Sequence, residues 1–85
     1  MKLTKKEISE NIRCKRRSGF TSEFDYSINV RGFHFETIQD RTGELYEEDE
    51  TGKLTFVSYV NNKKDVINAI SNWFKKYAPQ ELEDA

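Results

Sequence analysis

An 85-residue chain has room for one domain, and a domain this small buries roughly 60% of the surface its unfolded form exposes. With 34% charged residues but eleven aromatics (six Phe, four Tyr, one Trp), the composition is that of a folded chain rather than a disordered one. No apolar run exceeds two residues, which excludes a helical membrane span, and the lone Cys14 excludes an internal disulfide.

The net charge of −1 hides an uneven distribution. Residues 1–20 carry seven basic side chains against two acidic ones, residues 21–60 carry nine acidic against three basic, and the remainder balances. No basic stretch leading into an apolar one opens the chain, so a cytoplasmic location is expected.

Residues 1–20 read as a basic N-terminal helix. Thr4-Lys5-Lys6-Glu7 has the form of a capping box, with Leu3 and Ile8 placed as a hydrophobic staple. Ile8 and Ile12 share a face at a four-residue spacing, and Ser18-Gly19 supplies the stop.

Residues 21–60 read as an antiparallel meander of three or four strands. Phe24, Tyr26, Ile28 and Val30 alternate with Asp25, Ser27 and Asn29, the period of a half-buried strand. Arg31-Gly32 turns the chain into a second strand, from Phe33 to about Gln39. Asp40-Arg41-Thr42-Gly43 leads to a short strand around Leu45 and Tyr46, and Asp49-Glu50-Thr51-Gly52 leads to Lys53–Val60. In that last strand Leu54, Phe56 and Val60 are expected on one face, with Thr55, Val57 and Tyr59 opposite.

The closing helix spans 61–78. Asn61 or Asn62 caps it, Asp65 lies in its first turn, and Val66, Ile67, Ala69, Ile70, Trp73, Phe74 and Tyr77 form a broad apolar stripe. Lys75 and Lys76 suit its C-terminal end, Pro79 stops it, and 79–85 is a tail. The fold class is therefore α+β, with this helix on one sheet face. The opposite face, bearing Ile38, Val57, Tyr59 and Tyr46, is either covered by Leu3, Ile8 and Ile12 or left as an exposed apolar patch.

Chemistry-bearing groups are few. One His and one Cys are too thin a supply for a zinc site, and no local pattern sets a nucleophile beside His34; neither catalysis nor a cofactor is expected. His34 reads as an outward-facing strand residue. The acidic stretch Glu44, Glu47, Glu48, Asp49 and Glu50 is either a solubilising hairpin or, with Glu36 and Asp40, a surface that docks on a basic partner. Arg13, Lys15, Arg16 and Arg17 are either a solvated helix end or, with Lys63 and Lys64, a phosphate-contacting patch.

If the first two strands run together, the order α-β-β-β-α with lysines opening the last helix is similar to the double-stranded-RNA-binding domain. That resemblance implies phosphate contacts for Lys63 and Lys64. The chain departs from it with bulky Ile70, Trp73 and Phe74 where small residues are the pattern, and with Asp65 beside the lysines.

The functional expectation is a small non-catalytic interaction protein that occupies and modulates or inhibits a macromolecular partner, in the manner of phage or mobile-element accessory proteins. Its contact residues are Ile38, Glu44, Tyr46, Glu47, Glu48, Asp49, Glu50, Val57 and Tyr59. A protein partner is expected, with self-association possible and no membrane or small-molecule substrate. The alternative is a nucleic-acid-binding module built on the basic set.

Overall fold

Thr4 starts the first helix as the expected N-cap, while the Glu7 carboxylate, the other half of the expected capping box, is held by Arg31. In a computed structural model, which describes residues 2–16, 24–37 and 43–82, the Thr4 hydroxyl accepts from the Glu7 backbone N–H at 3.1 Å. The helix, α1 (Lys5–Glu10), is short. The Asn11 side chain donates to the Glu7 carbonyl at 2.8 Å and closes it, and the chain extends at once into β1 (Ile12–Arg16).

This corrects the expected helix over 1–20. Two isoleucines four apart fit a helix face, but they are buried equally well when Ile8 ends a helical turn and Ile12 begins a strand. The strand wins because it pairs along its length with β2 (Phe24–Val30), Ile12 facing Ile28 and Cys14 facing Tyr26. The basic residues Arg13, Lys15 and Arg16 thus lie on an edge strand rather than a helix end; Arg17 lies outside the described residues.

β3 (Phe33–Thr37), β4 (Glu44–Glu48) and β5 (Leu54–Tyr59) complete an antiparallel meander in the order β1-β2-β3-β4-β5. The sheet has five strands rather than three or four, the extra one coming from the segment read as helical. With five strands between its helices, the chain does not share the order of the double-stranded-RNA-binding domain.

The final helix, α2 (Lys63–Tyr77), is capped by Asn62, whose side chain accepts from the Asp65 N–H at 2.9 Å, while the Asp65 carboxylate accepts from the Asn61 N–H at 2.9 Å. Beyond it residues 79–82 stay docked, while 83–85 of the expected tail lie outside the described residues. Pro79–Glu81 forms a 3-10 turn, Leu82 bridges to Leu3, and both leucines are buried.

Both helices lie on the same side of the sheet. Leu3 and Ile8 join Ile12, Ile28, Val30, Phe35 and Leu45 from the strands and Val66, Ile70 and Phe74 from α2 in one apolar core. Phe33 and Phe35 meet Trp73 edge-on at 5.0 and 5.1 Å between centroids, an arrangement aromatic quadrupoles favour. Among the described residues, the second sheet face therefore carries no helix. Among the described residues, no helix is long and apolar enough to cross a membrane.

Candidate interaction face

The pleat decides what the uncovered face carries. On β4, Leu45 points into the core, so Glu44, Tyr46 and Glu48 point away from it. Register then aligns Arg13, Ser27, Glu36, Tyr46 and Phe56 across the five strands, with Asn29, His34, Glu48 and Leu54 in the next row and Glu44 beside Tyr59.

A bulge in β5 sets the composition of this face. Leu45 pairs with Ser58 but Tyr46 pairs with Phe56, leaving Val57 as an extra residue. The inserted residue shifts the alternation. Phe56 and Tyr59, three apart, both face outward with rings 5.0 Å apart, while Val57 packs on the core and Val60 is buried. Leu54 and Phe56 were expected on the helix-covered face and Val57 on the other. All three are reversed, because strict alternation cannot register a bulge.

Tyr46 completes an aromatic row, its ring edge-on to Phe56 at 5.8 Å and its hydroxyl donating to the Glu44 carboxylate. Phe56 is 46% exposed and Tyr59 is 73% exposed. Beside them, His34 holds a polar cluster. Its Nε2 lies 2.9 Å from a Glu36 carboxylate oxygen and 3.6 Å from one of Glu48, and its Nδ1 lies 2.8 Å from the Asn29 amide oxygen. Among the described residues, this is the group of His, Cys, Asp and Glu side chains that converges closely enough for a metal ion.

The acidic hairpin divides by role. Glu44 and Glu48 flank the aromatic row. Asp49 instead organises the turn, one carboxylate oxygen accepting from the Thr51 N–H at 2.8 Å, the Thr51 hydroxyl at 2.6 Å and the Lys53 N–H at 3.0 Å. The Thr51 hydroxyl, then the Lys53 N–H, hold its carboxyl below the usual range. Glu50 is exposed in the same turn.

Glu47 stands apart from the other acidic residues of the hairpin. It sits across from Phe35 on the helix-covered side, where burial, then the nearby Asp49 charge, push its carboxyl up. Of the expected contact set, Glu44, Tyr46, Glu48 and Tyr59 come together; Glu47 and Val57 do not, and Ile38 lies outside the described residues.

No family model, curated protein or solved structure matches this chain.

The face's own groups define what it can hold. Tyr and Phe rings bind cations over their faces, and carboxylates alongside them pair with guanidinium or ammonium groups. The basic set is not assembled in the same way. Arg13 is exposed on β1 on the open face, whereas Lys63 and Lys64 open α2 on the other side. Phe56 and the grouping of His34 with Glu36 and Glu48 were missed from the sequence. His34-Phe35-Glu36 carried half of that signal, since period two puts His34 and Glu36 on one side; Glu48 enters only through the register.

Proposed function

We propose that this protein is a non-catalytic binding module whose open sheet face docks on a basic surface of a macromolecular partner and modulates that partner by occupying it. The supporting observation is a contiguous row of Tyr46, Phe56 and Tyr59, bordered by Glu36, Glu44 and Glu48, on the face that neither helix covers. Aromatic side chains concentrate at interface centres because they bury large area at little entropic cost, with polar groups at the rim. The acidic border selects a cationic partner. It disfavours a second copy, whose matching face would bring carboxylates against carboxylates, and it repels nucleic-acid phosphates.

Site-specific photo-crosslinking in cells tests this reading. A benzophenone side chain at Phe56 is expected to give a defined adduct with a partner, whereas one at Lys75 on α2 gives none. Tyr59→Ser and Glu48→Gln should each weaken the adduct, and added salt should weaken it further. Adducts of equal yield at both positions, or none at Phe56, would sink the proposal.

A further inference from the structure

The His34 cluster supports a second inference, which shares Glu36 and Glu48 with the border of the docking face but is read out by ion binding rather than by a partner. β3 presents His34 and Glu36 on the same side, and Glu48 of β4 lies directly opposite His34. His34 Nε2 and one oxygen from each carboxylate all lie within 4.8 Å of one another, with His–Glu separations of 2.9 and 3.6 Å. Ligands each about 2.0–2.1 Å from a shared zinc-type ion stand roughly 3.0–3.4 Å apart, so only small side-chain adjustments would seat an ion.

The imidazole is already oriented for that role. The Asn29 amide oxygen can only accept, so Nδ1 carries a hydrogen and Nε2 is the ring atom aimed between the carboxylates. Metal-bound histidines are held in this way, the second ring nitrogen donating to an oxygen outside the ligand set.

We propose that His34 Nε2, Glu36 and Glu48 form a binding site for a divalent first-row transition ion of the zinc class, with Asn29 positioning the imidazole. The ion would sit between Nε2 and the two carboxylate oxygens, where its two charges balance the two carboxylates. The nitrogen ligand selects zinc, cobalt or nickel over calcium and magnesium, which prefer all-oxygen shells. The open face leaves the remaining coordination positions to water.

The test is titration of the full chain with zinc chloride and cobalt chloride, followed by calorimetry and by imidazole resonances. His34 is the one histidine, so its signals are unambiguous. One equivalent is expected to bind and to move the His34 signals. His34→Ala should abolish saturation, Glu48→Gln should weaken binding more than tenfold, and Asn29→Ala should weaken it by roughly tenfold with stoichiometry kept. Circular dichroism would show each variant folded, and Cys14→Ser should bind like the native chain, which removes the exposed thiol as the ligand. No saturable binding, equal binding of calcium, or undiminished binding by folded His34→Ala would overturn the site.

Discussion

The Arg31 guanidinium grips the Glu7 carboxylate through two parallel bonds, Nε to Oε2 and Nη2 to Oε1, each 2.8 Å long. A third arm reaches Glu81 at 3.4 Å. Arg31 therefore ties the β2–β3 turn to α1 and to the 3-10 turn after α2. It does so from a backbone φ of +53°, paired with Gly32 at +84°, a left-handed pair that suits a tight hairpin.

The bond from Arg31 is the first cause that holds the Glu7 carboxyl below its ordinary range. A depressed carboxylate contributes stability above its unfolded-state value and loses it as pH falls through the folded one. Arg31→Ala and Glu7→Gln should each lower the melting temperature at neutral pH, and the double variant should lose less than the sum. The gap between native protein and Glu7→Gln should close as melts are repeated toward pH 3. A gap that persists in acid would show that the pairing does not set Glu7's contribution.

Two acidic residues of one hairpin should titrate in opposite directions. Burial raises the Glu47 carboxyl, so folding favours its neutral form; that contribution is fully present below the unfolded value and is lost as pH rises through the folded one. Glu47→Gln should therefore be modestly stabilising at pH 7. Asp49, lowered by Thr51 and Lys53, behaves like Glu7, and Asp49→Ala should destabilise at pH 7 by freeing the turn's N–H groups. Side-chain NMR titrations resolving the two carboxyls, together with urea melts, check both signs.

Local chemistry made much of this fold legible. Thr4 and Asn62 announce their helices because a side-chain oxygen three residues before an orphan N–H is a local arrangement. The stripe from Val66 to Phe74 needs nothing beyond its own period. β1 was illegible because Ile8 and Ile12 fit a helix, and only pairing with a distant strand shows otherwise. The open face required two further non-local facts: the side of the sheet that α1 takes, and the bulge that turns Phe56 outward. One unpaired residue, Val57, reverses the reading of every position before it in β5.

Gly43 should tolerate a side chain less well than Gly52. Both have left-handed backbone, φ +82° and +86°, where a Cβ costs about 1–2 kcal/mol. At Gly43 a Cβ also comes within 3.2 Å of the Val60 carbonyl oxygen, next to the 2.8 Å bond from the Val60 N–H to the Gly43 carbonyl. At Gly52 the nearest atom is the mobile end of Glu48 at 3.8 Å. In chemical denaturation, Gly43→Ala should lose more stability than Gly52→Ala. Equal losses would mean that the junction between β5 and α2 yields freely.

Binding and stability should separate on the two sheet faces. Phe74 is fully buried against Phe33 and Trp73, so Phe74→Ala should cost about 3–5 kcal/mol and threaten folding of so small a domain. Tyr59 is largely in water, with one ring contact to Phe56, so Tyr59→Ser should cost less than about 1 kcal/mol. A side chain that contributes so little to the fold while keeping a large aromatic surface in solvent is free to serve an interface. If Tyr59→Ser removes partner crosslinking at unchanged melting temperature, the loss belongs to the contact itself. If crosslinking fails only in variants that also melt early, the open face is an incidental product of the bulge.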